Sequence, residues 1–556
     1  GDRAQTVTLV RPADLYLPER RNSEGMPLDQ AVVRSDLYAE FNTDLSQGFT
    51  AAPIVSGQRV TTGAERLVLC PHDLRQRIGS AREATPADAE AAVAAALRAH
   101  VPWDKLGAEK RAAMLDRASD LFEENRSRFM ALLVREAGKT LDAAIGEVRE
   151  AVDFLRYYAA QARQTLTKST KLPGPTGEDN VLSWRGRGPF VAIAPWNFPL
   201  AIFTGQIAAA LVTGNTVLAK PAPQTPLVGM LAVELLHQAG VPGDVLHFLP
   251  GGGVIGAALV KDKRTAGVVF TGSNETAWAI QKTLADRRSA IVPFIAETGG
   301  INAMIVDSSA LPEQVVRDCV RSAFDSAGQR CSAARVLFVQ SDVADRTIEM
   351  LVGATELLEI GDPMDYATDV GPVIDNAAED RLEAHKLAMS KAAKRLVDRV
   401  VPNSCRSGTY VGPAIFEIGK LSLLEREVFG PILHVIRYER DHLDRVVDEI
   451  NGLGFGLTLG VHTRIQNVAD RIAERARVGN LYVNRHQIGA TVGVQPFGGE
   501  GLSGTGPKAG GPNYLTRFAT EHVRATDITA TGGNVQLLGL SAALDAAQRT
   551  SDPPVE

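Results

Sequence analysis

The chain has 556 residues, 45% of them hydrophobic and 22% charged, with a formal net charge of −6. That length is too great for a single core, so two or three domains are expected. The balance is that of an ordinary globular protein. It offers no basic stripe for nucleic acid, no apolar run near the ~20 residues of a membrane helix and no signal peptide. Cys70, Cys319, Cys331 and Cys405 are the four cysteines. They neither frame a disulfide scaffold nor show zinc-ligand spacing, which points to a reducing, cytoplasmic setting and to no metal. The sequence opens on Gly1 rather than methionine, as a piece of a longer protein would.

Residues 1–80 mix polar and turn residues with little periodicity and read as an arm or linker, with Leu15, Tyr16, Leu17 and Phe41 able to pack. Helix signals begin at Thr85: a capping hydroxyl, Pro86 at the first helical position and Asp88 near the positive end. From there to about 165 the chain reads as several amphipathic helices, EVREAVDFLRYYAAQA among them. The stretch 171–188 has turn residues before alternating ones and reads as a hairpin.

From about 189 the texture changes. Short apolar runs (FVAIAP, NTVLAKP, VLHFLP, GVVFTGS, IVPFIAE) alternate with helical stretches. This is the pattern of an α/β fold whose parallel sheet is covered on both faces. Such sheets bind ligands at the carboxyl ends of their strands, so the polar residues after each run are the candidates. A second α/β region follows residue 297 and runs to about 500.

Four places carry chemistry. Cys331 in GQRCSA follows a helical stretch and sits among small neighbours, as an accessible nucleophile would; a buried structural cysteine has the same look. Glu297 closes the run IVPFIAE and has the placement of a general base or of a turn residue. Asn197, held between Pro195 and Pro199 with Trp196 and Phe198, is placed to donate to an oxyanion, an effect of ~3 kcal/mol, or simply to make a tight turn. Gly272 and Ser273 open a helix after a strand, where backbone and hydroxyl donors can hold a phosphate. Gly251, Gly253 and Gly256 also spell G-x-G-x-x-G. Pro250 intervenes, however, and no acidic residue follows at a further strand end, so this reads as a structural turn.

Taken together, PWNFP, KPAPQTP, FTGS, ETGG, GQRCSA, EVFGP and PFGG stand in the order of the aldehyde dehydrogenase superfamily, which the chain resembles over residues 80–520. The resemblance implies a Rossmann-like NAD-binding domain, an α/β catalytic domain and a small β oligomerisation flap. It implies boundaries near 81–296 for NAD binding, with 171–188 as the oligomerisation hairpin, and 297–490 for catalysis. Residues 491–535 would be the return segment and oligomerisation strand, and 536–556 a tail. In the family the cysteine matched by Cys331 attacks the aldehyde, the asparagine matched by Asn197 holds the oxyanion, and the glutamate matched by Glu297 activates water.

The cofactor is expected to be NAD, with NADP open because Pro223 stands where NAD-using relatives often carry Glu. Lys220, Gly272, Ser273, Glu427, Phe429 and Trp196 would contact it. The string at 493–518 further resembles the semialdehyde dehydrogenase module of bifunctional proline-utilisation flavoenzymes. That implies L-glutamate γ-semialdehyde as substrate, bound by Glu150, Phe198, Ser332, Gly489, Ala490 and Phe497. It also implies a homodimer, and a proline dehydrogenase flavin domain outside this chain, so no FAD within it. The segment TATGGNVQLLGL would support a tunnel between the two sites. The alternatives are another semialdehyde such as succinate semialdehyde, a CoA-dependent relative, or a non-catalytic protein that keeps the fold.

Overall fold

A computed structural model of the chain describes residues 10–175 and 177–527. The segment TATGGNVQLLGL and the 536–556 tail lie outside the described residues.

Two seven-stranded sheets dominate. The first runs in the order Phe294–Glu297, Gly267–Thr271, Pro189–Ile193, Thr216–Lys220, Leu246–Phe248, then two short strands, Ile54–Val55 and Gln58–Arg59. Its five main strands are parallel. Four of them are the apolar runs that end in AP, KP, LP and TGS. Each is buried along nearly its whole length, because helices lie on both faces. The second sheet has the order Lys394–Asp398, Ala414–Glu417, Ile432–Tyr438, Val336–Gln340, Ala303–Val306, Thr458–His462, Asn480–Val483. It too is parallel except at its first strand. Each sheet carries its own apolar core.

The expected hairpin forms: Thr170–Leu172 pairs antiparallel with Glu178–Gly186, and Ala519–Asp527 adds along the other edge of that strand over nine residue pairs. Four helices cover 86–165, ending with the long Leu141–Thr165. Thr85 caps the first of them in a reciprocal capping box: its Oγ1 accepts from the Asp88 N–H while Asp88 accepts from the Thr85 N–H. Thr85→Ala is expected to lower stability by ~1 kcal/mol, read as an earlier urea midpoint, because it strands the Asp88 amide.

Residues 10–80 differ from the expected arm. They hold a helix, Ala31–Gln47, and an antiparallel pair, Glu65–Cys70 with Asp73–Arg82. Leu37 and Phe41 are fully buried in the main core, with Leu45 packed against it. Their i, i+4, i+8 spacing was the available helix signal. Leu15 and Leu17, by contrast, stay exposed. The segment before this helix is fastened by Arg20. Its guanidinium donates to Asp153 Oδ1 at 3.0 Å and to the Val492 carbonyl at 2.7 Å, all buried, and Ser23 donates twice more to Asp153.

Candidate active site

The helix Pro312–Phe324 stops seven residues short of Cys331, not at it as its sequence suggested. Three left-handed residues follow: Ser326, Ala327 and Gly328, with φ of 55°, 53° and 66°. Gly328 is obligatory, since a Cβ there would lie 2.2 Å from the Gly430 carbonyl oxygen. This turn redirects the chain so that Gln329–Ser332 crosses the ends of the second sheet's strands.

Side chains from four separate segments then clamp the carbonyls of this loop. Asn302 Nδ2 donates to Cys331 O at 2.6 Å and to Ala333 O at 3.0 Å. Thr458 Oγ1 and Gln487 Nε2 donate to Ser332 O at 3.2 and 3.3 Å. The fully buried Arg335 donates to the carbonyls of Gly328, Arg330 and Gly430. It also pairs with Glu427 Oε1 at 3.0 Å. One guanidinium thus ties the Cys331 loop to the acid of EVFGP. Asn197, buried at the end of its strand, reaches the same loop, one N–H donating to Gln329 O at 3.2 Å.

Cys331 opens into a cavity of about 100 Å³ that is also lined by Glu297, Glu150, Phe198, Ser332 and Phe497. The Gly489–Ala490 loop lines it too, and so do Arg330 and Tyr514. A larger cavity of about 740 Å³ adjoins it, sharing Glu150, Phe198 and the Gly489–Ala490 loop. Eight residues singled out by sequence therefore meet in one place, although Glu150 and Cys331 are 181 positions apart.

The electrostatics of the cavity are unusual. Burial, then the charges of Glu427, Glu297 and Glu150, push the Cys331 thiol up to about 12, with only Arg330 opposing. Burial raises Glu297 to about 8, against one backbone donor, Gly499 N–H at 3.0 Å, and the charge of Lys508. The other oxygen of Glu297, Oε1, is buried without a hydrogen-bond partner. Burial and then the neighbouring Glu147 raise Glu150 to about 8, with Arg330 and Lys139 opposing. Glu147 itself is bound: it pairs with Lys139 at 2.9 Å and accepts from the N–H groups of Leu200 and Ala201 at a helix start. A thiol and two carboxyls that hold protons tightly, lining one cavity, are set up for proton transfer once a ligand enters.

The remaining candidates lie outside this cavity. Lys220 is buried at its strand end, donating to the carbonyls of Pro221 and Gly251 at 2.9 and 3.1 Å; burial lowers it to about 8. Gly251, in the discounted glycine motif, thus serves as a turn that accepts from this lysine. Gly272 departs from expectation, because its N–H already donates to the Glu297 carbonyl. Ser273 caps the helix that follows, accepting from Thr276 N–H. Trp196 meets the ring of Phe429 edge-on at 5.5 Å, with Arg335 over the other side of that ring at 5.2 Å. Among the described residues no group of three His, Cys, Asp or Glu is placed to hold a metal ion, and no helix is long and apolar enough to cross a membrane.

Arg335, Asn302, Gln487, Arg20 and Lys508 were not singled out beforehand. Arg335 had a signal, a lone charge opening the apolar run VLFV. The others had none, since their partners are distant in sequence.

The Aldehyde dehydrogenase family pattern matches residues 60–523. The bifunctional protein PutA of Klebsiella aerogenes is 49% identical over 516 residues, which are 91% of this chain and 38% of that protein. The chain therefore spans well under half the length of such relatives. A 1-pyrroline-5-carboxylate dehydrogenase of Geobacillus sp. (strain WCH70) is 36% identical over 83% of this chain and 90% of its own. Among solved structures, the Bradyrhizobium japonicum proline utilization A mutant D779W is 51% identical with a TM-score of 0.85, covering 93% of this chain and 49% of that one. The Thermus 1-pyrroline-5-carboxylate dehydrogenase with bound NAD is 33% identical with a TM-score of 0.86, covering 91% and 99%.

Proposed function

We propose, from the premise that this chain belongs to the aldehyde dehydrogenase family, that it oxidises L-glutamate γ-semialdehyde to L-glutamate with a nicotinamide dinucleotide. The observation that carries this is the meeting of Cys331, Glu297 and Glu150 in one cavity. Thiol, base and a third acid are what a covalent route needs when the aldehyde also bears an ammonium group.

The residues present fit the cofactor. Glu427 is a buried carboxylate beside Gly299, where any Cβ would collide with its Oε2 at 1.7 Å. Such a carboxylate accepts from ribose hydroxyls. Lys220 supplies a buried cation, Ser273 a hydroxyl at a helix start, and Phe429 with Trp196 an aromatic corner for a planar ring. When bound, the nicotinamide serves as the hydride acceptor. NAD is the first choice, and because Pro223 leaves no carboxylate to repel a 2′-phosphate, NADP is the comparison.

In this proposal the Cys331 thiol loses its proton to solvent through water as its sulfur bonds to the aldehyde carbon. The second N–H of Asn197 steadies the resulting oxyanion, a contribution of ~3 kcal/mol. Collapse of that alkoxide expels hydride and leaves a thioester on Cys331. Glu297 then takes a proton from water as its oxygen attacks the thioester carbon, freeing the carboxylic acid and the thiol. The sum is aldehyde, oxidised cofactor and water giving acid, reduced cofactor and a proton.

Recognition follows from charge. Glu150 is held protonated by burial, so an ammonium group beside it restores the carboxylate and an ion pair forms. The backbone N–H groups of Gly489 and Ala490 with Ser332 cradle the α-carboxylate, and Phe198 and Phe497 flank the methylene chain. Residues 81–296 are assigned to cofactor binding and 297–490 to catalysis. The exposed strand Ala519–Asp527 with its hairpin supports a homodimer. The four free cysteines favour the cytoplasm. A proline dehydrogenase flavin domain, fused or separate, would supply the substrate.

The test is an NADH-production assay. The highest kcat/KM is expected for glutamate γ-semialdehyde with NAD. A preference for succinate semialdehyde would overturn the substrate assignment, and a preference for NADP the cofactor assignment.

A further inference from the structure

Glu297 is unusual in how little holds it. One oxygen has a single backbone donor and the other none. The turn Phe497–Gly499 lies against the carboxyl group so closely that a Cβ on Gly498 would come within 2.7 Å of Glu297 Oε1. The same Cβ would sit 3.3 Å from the Cα of Lys508, so the turn is sandwiched between carboxylate and lysine. The Lys508 ammonium is tethered behind the turn. It donates to the Gly479 carbonyl and to Asn480 Oδ1 at 3.3 Å. Asn480 in turn donates to Pro496 O at 2.9 Å and accepts from Gly498 N–H at 3.4 Å. One asparagine therefore joins the lysine to the turn that supplies the only donor to the Glu297 carboxyl group among the described residues. Phe497 and Ala509, next to Lys508, exchange two backbone hydrogen bonds of 2.9 Å, which fixes the two segments relative to each other.

The charges facing Glu297 come from three sides. Cys331 and Tyr514 share the cavity, and neither carries positive charge. Glu427 lies beyond Gly299 and is paired with Arg335. Arg330 lines the same cavity, and the cation that acts on Glu297 is Lys508, itself facing Glu500 as well. We propose that Lys508 is a positioning residue for Glu297: its tethered ammonium favours the ionised carboxylate over the protonated one and keeps it aimed during thioester hydrolysis, without touching the substrate. The inference rests on the thioester reading above and adds to it a means of keeping a buried base in its working form.

The experiment measures hydrolysis of the acyl-enzyme across pH by rapid quench and intact mass, in the full chain and in K508M, K508Q and K508R. In K508M and K508Q the acid limb of hydrolysis should move up by about one pH unit, with about a tenfold slower rate at pH 7. Acylation should be little changed, and K508R should restore most of the limb. Hydroxylamine, which attacks thioesters without a general base, should release the acyl group equally fast from every variant. An unmoved acid limb in folded K508M or K508Q overturns the role of Lys508, as does a failure of K508R to differ from them. Absence of any acyl-enzyme in the unsubstituted chain would instead overturn the thioester reading.

Discussion

Cys331→Ala is expected to abolish NADH formation, by at least about 10⁴-fold in kcat, while the variant still folds and binds cofactor. Side chains that act as one catalytic unit lose nearly everything when the nucleophile goes. Hydride cannot leave an aldehyde carbon until that carbon has become an alkoxide, and only the sulfur makes it one. The fold should be indifferent. The loop is held through its carbonyls by Asn302, Thr458, Gln487 and Arg335, and none of these contacts uses the thiol. Alanine removes a sulfur that opens into a cavity rather than one packed in the core. The check is a steady-state assay beside thermal denaturation and cofactor titration. Turnover within tenfold of the unsubstituted chain would end the nucleophile assignment.

The second large effect is at Glu297. Glu297→Gln keeps the shape, and its amide can still accept from Gly499 N–H, but it cannot take a proton from water. A general base contributes about 10²–10⁴-fold, and here that loss should fall on deacylation. A mass adduct equal to the acyl group should accumulate on the peptide containing Cys331, with up to one NADH released per chain before turnover stalls. Because burial holds Glu297 protonated up to about pH 8, hydrolysis in the unsubstituted chain should rise with pH until that carboxyl has ionised. Glu297→Gln should flatten this rise. A full-rate variant with an unchanged pH profile would assign the base to another group.

The site was legible where chemistry sits on a strand end. Glu297 closes Phe294–Glu297 and Asn197 follows Pro189–Ile193, and both were readable because parallel strands present their carboxyl ends to a ligand. Glu150 was not readable in that way. It lies mid-helix in Leu141–Thr165, and only the packing of that helix makes it a half-buried acid on the Cys331 cavity. The Cys331 loop was misread in detail. Helical periodicity continues past Phe324, yet three left-handed residues break the helix there, because Gly328 must pass against Gly430. What the sequence did not show at Gly272 is that its amide donates to the neighbouring strand's Glu297 carbonyl. In residues 31–47 the spacing of Leu37, Phe41 and Leu45 was present in the sequence and was outweighed by the polar residues between them.

By itself the sequence determined the two α/β regions, the hairpin and the order of the strand-end residues, since burial on both faces of a sheet writes itself as apolar runs punctuated by turns. Only the tertiary structure decided that Cys331, Glu297 and Glu150 share one cavity. It alone decided that Arg335 links the Cys331 loop to Glu427, and that Lys508 stands behind the turn that holds Glu297. Those relations depend on which distant segments pack together and how much water they exclude. Burial, which sets the protonation of all three cavity groups, is a property of the assembled fold and of no single stretch of chain.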